Sequence, residues 1–213
     1  VDSDHPAVRA LAQETTNGIS SVRERAVALY YAVRDGFRYD PYAIQAIDRC
    51  FTASVVIEAG SGFCVSKAAL LAATARAAGI PARVGFADVK NHLTSPRLRD
   101  LMETDEFVYH GYTELCIDDR WVKATPAFNR TLCDKAGVRP LEFDGQNDSL
   151  FHPLDQSGRK HMEYLRDHGS RPDVPVGEIL AAWEQVYPKM ATWGQQHISA
   201  NFEQEAVSEL PAS

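Results

Sequence analysis

Three residues stand out for the chemistry their types could do: Cys64, His110 and Thr125. Cys64 follows two glycines, in Gly60-Ser61-Gly62-Phe63-Cys64, and opens a run built mostly of Ala and Leu that reaches Ala78. Such a run predicts a helix, and a helix apolar on nearly every side is a buried one. Gly79, Ile80 and Pro81 end it, Gly by a left-handed cap and Pro by blocking continuation. Cys64 is thereby expected in the first turn. There, unpaired N–H groups and the helix dipole stabilise a thiolate and lower the thiol pKa. The alternative is a buried structural cysteine, since a free Cys commonly acts as a small hydrophobe.

His110 lies in the alternating stretch Phe107–Ile117, the longest strand candidate. Asp118-Asp119 reads as a two-residue turn, and Arg120 to Ala124 as the returning strand. That register sets Glu114 opposite Lys123 as a cross-strand ion pair and Tyr112 opposite Thr125. His110, Tyr112, Glu114, Lys123 and Thr125 then share one face, with Thr125 diagonally across from His110, about 7–8 Å away between backbones. A histidine on a strand, downstream of a cysteine at a helix start, suits nucleophilic catalysis. The thiolate attacks a carbonyl, the imidazole moves the proton, and a third polar group on the hairpin orients the ring. On pattern alone, a structural Cys and a structural His remain the competing reading.

The elements that must position these residues are legible in outline. Residues 1–17 form a short helical lead-in. Ser21 to Asp35 is an amphipathic helix that Ser21 and Glu24 cap as a box. Phe37–Tyr42 is an aromatic loop, Ala43–Cys50 a weaker helical segment, and Thr52–Glu58 either strand or helix. Ala82–Asp88 is a strand. Residues 91–105 are a polar excursion long enough to be a lid or a substrate-contacting loop. From 137 to 158 the chain is loop-like, Trp183 sits in a second amphipathic helix, and 205–213 is a frayed end. Helices first and strands later, without regular βαβ alternation, give α+β.

Composition bounds the partners. The chain has 213 residues, 45% hydrophobic and 24% charged, enough for one domain with a full core. A net charge of −7 with scattered basic residues argues against nucleic acid. No apolar run reaches the roughly 20 residues a membrane span needs. The first residues do not read as a signal peptide, and the missing initiator Met fits a removed leader or tag. The four cysteines make no C-x-x-C pair, which argues against zinc and for reduced thiols in the cytoplasm. Cys50, Cys116 and Cys133 read as structural. His152, His161 and His168, near Asp155 and Glu163, fit no standard metal spacing and read as solvated histidines.

Three ordered blocks resemble the transglutaminase-like superfamily. They are Gly62-Phe63-Cys64 with Gly79-Ile80-Pro81-Ala82-Arg83, then His110-Gly111-Tyr112-Thr113-Glu114, and Trp121-Val122-Lys123-Ala124-Thr125-Pro126. The first helix and Phe37-Arg38-Tyr39-Asp40 resemble that family's lead-in. The resemblance covers Ser21 to Pro126, about 21–126 of a single 1–213 domain, and leaves 127–213 as a loop-rich, helical extension. It implies a papain-like fold: a nucleophile-bearing helix packed on an antiparallel sheet, with helical additions at both ends. It implies acyl transfer from an amide in a peptide or protein through a thioester at Cys64, without a cofactor. Water as acceptor gives an amidase or peptidase, and an amine gives a transamidase. With no calcium motif, hydrolysis is the expected outcome.

The departure is Thr125, where the family carries the triad Asp. A Thr hydroxyl can orient His110 but brings no charge. Either the Cys64–His110 pair suffices, or Asn129, Asp144 or Asp148 takes the role, or the site is degenerate and the domain binds or scaffolds without turnover. The oxyanion would be held by the Cys64 N–H. Tyr42 reads as packing, and Trp183 and Trp193 as core or interface.

Overall fold

The computed structural model describes residues 1–45, 49–189 and 202–208. Its centre is helix α4 (Cys64–Ala77), whose residues from Cys64 to Ala75 are all buried. Ala and Leu hold a helix at low entropic cost, and an apolar surface all round requires cover on every side. Helices α1 (Pro6–Thr16), α2 (Val22–Gly36) and α3 (Ala53–Ala59) supply one part of that cover. Strands β3 (Ala82–Asn91) and β4 (Glu106–Ile117) supply the other. The Ser21 hydroxyl accepts the Glu24 N–H at the start of α2, and Gly79 takes its left-handed φ of 78° behind α4, as the sequence predicts.

The sheet runs β5-β4-β3-β6, antiparallel throughout. Strand β5 (Arg120–Ala124) pairs with β4 as expected, Ile117 with Arg120, Cys116 with Trp121 and Glu114 with Lys123. Asp118 and Asp119 both have positive φ, 51° and 60°, the twist that a two-residue hairpin requires. One consequence of that register is corrected. Glu114 pairs with Arg83 on its other neighbour β3, and Lys123 pairs with Asp167, 3.2 Å away. Arg83 also stacks over Trp121, 4.2 Å from its ring centre, so the guanidinium out-competes the ammonium for the carboxylate.

Other elements depart from the sequence reading. The aromatic loop contains a two-residue strand β1 (Arg38–Tyr39), parallel to β2 (Ser61–Gly62). Ala43–Cys50 is not an α-helix where it is described; a 3-10 turn spans Pro41–Gln45. The polar excursion contains a short helix α5 (Pro96–Met102), with the Ser95 hydroxyl accepting the Leu98 N–H. After α6 (Arg130–Ala136) the chain returns as β6 (Met162–Arg171), the fourth strand of the sheet. Helix α7 (Val176–Val186) carries Trp183, and α8 (Phe202–Ser208) replaces the start of the expected frayed end.

Candidate active site

The backbone delivers Cys64 from a fixed strand. The β1–β2 pair sets Tyr39 against Gly62, and the Asp40 N–H donates to Gly62 O at 2.9 Å. Phe63 caps α4, its N–H donating to the Ser66 hydroxyl at 3.0 Å. One turn on, Lys67 is fully buried. Its ammonium donates to the carbonyls of Arg34, Phe37 and Ala127 at 2.9, 2.6 and 2.8 Å. Burial pulls its pKa down to about 7, while those three acceptors use all three protons of the charged form. The pin joins the first turn of α4 to the end of α2 and to the segment after β5.

His110 reaches the same place through Gly111. A Cβ at Gly111 would stand 2.6 Å from the Val65 Cα and 3.2 Å from the Cys64 carbonyl oxygen. Only glycine lets β4 lie this close to the first turn of α4. Two residues on, the Thr113 hydroxyl donates to Ala68 O at 2.8 Å and fixes the strand along the helix. Cys64 and His110, 8% and 5% exposed, wall one cavity of about 40 Å³. The rest of its wall is apolar and includes Tyr39, Phe63, Leu98, Met102, Trp183 and Tyr187. Leu98 and Met102 belong to α5, so the polar excursion does contribute to this cavity.

Helix α7 closes the far side. The Trp183 indole donates to Val108 O at 3.1 Å. The Tyr187 hydroxyl accepts the Val108 N–H at 2.8 Å and lies 3.1 Å from Glu106 O. These groups satisfy the edge of β4 beyond the end of β5, where the sheet offers no partner strand.

Burial sets the charge state. It pushes the Cys64 thiol up to about 11, against the opposing N–H groups of Gly111, Val65 and Cys64 itself. It pulls His110 down to about 3. The expected lowering of the thiol by the helix start is therefore corrected: desolvation outweighs the local N–H groups. At neutral pH the site holds a thiol and a neutral imidazole.

Thr125 is 1% exposed. Its carbonyl lies 3.2 Å from the Tyr30 hydroxyl, which donates at 2.9 Å to Leu141 O. Among the described residues, neither its hydroxyl nor His110 Nε2 has a hydrogen-bond partner. The Tyr164 phenol lies near the Thr125 hydroxyl without closing a hydrogen bond, and accepts the Phe151 N–H at 3.3 Å. The Phe151 ring packs against the His110 ring, centres 5.1 Å apart. The three alternative orienting groups are engaged elsewhere. Asn129 accepts the Tyr39 N–H, Asp144 caps Gln146 and Asn147, and Asp148 accepts the Lys123 N–H.

The other candidates separate from the site. Cys50, Cys116 and Cys133 lie outside the cavity wall. Tyr42 is buried, with its hydroxyl donating to Glu205 at 2.6 Å. His168 meets Asp88, His161 is buried, and no group of three metal-ligating side chains exists among the described residues. Trp193 lies outside the described residues.

Comparison with known proteins adds one decisive match, over residues 9–126, to the transglutaminase-like superfamily model. The chain belongs to the transglutaminase-like superfamily. Its α+β architecture, a buried helix on a curled antiparallel sheet, is that superfamily's papain-like fold. Two solved structures are similar. A "putative protease" from Parabacteroides distasonis is 18% identical with a TM-score of 0.41, covering 55% of this chain and 22% of that one. A "putative cysteine protease" from Cytophaga hutchinsonii is 22% identical with a TM-score of 0.43, covering 58% and 37%. The matched part thus spans well under half of either neighbour. No curated protein shows a significant match.

Around the Cys64–His110 cavity, sequence reasoning missed Gly111, Phe151 and the role of α7. Gly111 had a signal, a glycine inside a strand beside a histidine. Phe151, in a loop far along the chain, had none.

Proposed function

We propose that this transglutaminase-like domain transfers acyl groups from an amide in a peptide or protein, with Cys64 as nucleophile and His110 as its base and acid. The observation that supports this most is the shared wall: the Cys64 and His110 side chains face one cavity at the start of a buried helix. Both groups begin neutral, so the thiol proton moves to His110 as sulfur attacks the carbonyl. The developing oxyanion is met by N–H groups at the start of α4. His110 then gives its proton to the leaving amine, and a thioester remains on Cys64. Water or a second amine resolves it; water is the expected acceptor. In place of the family's Asp, the Phe151 ring packs against the His110 ring.

A binding module is the second reading. It is favoured by the unpartnered His110 Nε2 and Thr125 hydroxyl. The test is incubation with a library of blocked peptides and glutamine amides, with and without hydroxylamine. The expected result is ammonia or amine release, diverted to hydroxamate by hydroxylamine and lost in Cys64→Ala. Thr125→Asp should raise the rate about tenfold, the value of one added charge-assisted hydrogen bond. No release from any substrate by either the native protein or Thr125→Asp favours the binding module.

A further inference from the structure

A hydrogen-bonded Asp–His pair stands immediately beside His110, outside the cavity wall. On β4, Val108 and Tyr109 oppose the single residue Asp88, because Ala87 pairs with His110 and Val89 with Phe107. Tyr109 takes a positive φ of 57° at this bulge, a conformation that a bulky side chain rarely adopts. On the other side of β3, His168 is the extra residue of a matching bulge in β6, since Phe86 pairs with Gly169 and Ala87 with Asp167. The β4 bulge lies opposite Asp88 and the His168 bulge opposite the Phe86–Ala87 step, so the two flank neighbouring residues of β3.

Asp88 joins them. Its Oδ1 accepts the Tyr109 N–H at 3.0 Å and meets His168 Nε2 at 2.7 Å. The Tyr109 and His168 rings stack, centres 4.2 Å apart and planes 13° from parallel. Asp88 and His168 are largely buried, with side chains 16% and 11% exposed. The other charged groups facing this stack are Arg171, which donates to His168 O, and Glu178 on α7, near the Tyr109 hydroxyl and Arg171.

We propose that Asp88 and His168 form a positioning pair that sets the aim of His110 at Cys64 by holding Tyr109 in the bulge. A bulge bends its strand and re-aims the side chains beside it, and His110 is the next residue. Without an acceptor for the Tyr109 N–H, the strained residue relaxes toward regular pairing. A one-residue change of register reverses which face each side chain takes. Asp88 acts through the backbone and touches no reacting atom. This inference rests on His110 serving Cys64, so its test needs a readout that does not depend on turnover.

The experiment compares the native protein with Asp88→Ala, Asp88→Asn, His168→Phe and His168→Gln. One readout is the pH profile of Cys64 acylation by an activated ester; the other is the NMR titration of the His110 ring. Asp88→Ala should slow acylation on the order of 100-fold, as ångström-scale misplacement does, and should shift the His110 signals. Asp88→Asn keeps an acceptor for the Tyr109 N–H, and His168→Gln keeps a donor; both should recover most of the rate. His168→Phe keeps the stack but no donor and should fall between. Unchanged His110 signals in a folded Asp88→Ala protein would overturn the proposal. If the native protein is not acylated, the nucleophile reading fails, and the His110 titration alone decides the role of Asp88.

Discussion

Cys64 and His110 are both held neutral, and the cost of that state depends on pH. Native His110 resists protonation down to about 3 because burial penalises its charge, whereas an unfolded histidine takes a proton near 6.5. Between these values the unfolded chain binds more protons, so stability falls as pH drops through that window. Urea titrations should show native stability declining from about pH 6.5 downward, with a shallower decline in His110→Phe. An equal slope in both proteins would mean that His110 is not the buried neutral group described. The sequence made both residue types and their order readable. It could not show their charge state, because the helix start that lowers a thiol pKa is visible in the sequence and the surrounding desolvation is not.

Helix α4 and strand β4 form a unit whose spacing is set by Gly111. A methyl group there would meet the backbone of Val65 and Cys64, which cannot rotate away as a flexible side chain can. Gly111→Ala should therefore cost about 1–3 kcal/mol of stability, the usual penalty of overpacking, and should slow reaction at Cys64 by moving His110 with its strand. Thermal denaturation and Cys64 alkylation check the two effects together; a neutral substitution would show that β4 tolerates displacement. The α4 helix and the β4–β5 hairpin were legible because apolar runs and turn residues are local signals. Strand β6 was not, because it lies at the sheet edge with all five residues from Glu163 to Asp167 exposed, on both faces, leaving no alternation to read. Helix α5 carried an overlooked local signal, the pair Ser95-Pro96.

The molecule as a whole builds its site from more of the chain than the family core. Residues after 126 supply the fourth strand, the Phe151 ring against His110, and the Trp183 and Tyr187 wall. Sequence reading treated that region as an extension because its contributions are long-range contacts with no local pattern. Mass spectrometry of the acyl-enzyme shows whether Cys64 is a nucleophile served by His110. The protein is mixed at neutral pH with an excess of an activated acetyl ester, quenched in acid and mapped by peptide. The expected result is one acetyl group on Cys64, formed in a burst ahead of Cys50, Cys116 and Cys133 and slowed on the order of 100-fold in His110→Ala. Acetylation of Cys64 no faster than that of the partly exposed Cys116, or at the same rate without His110, would contradict it.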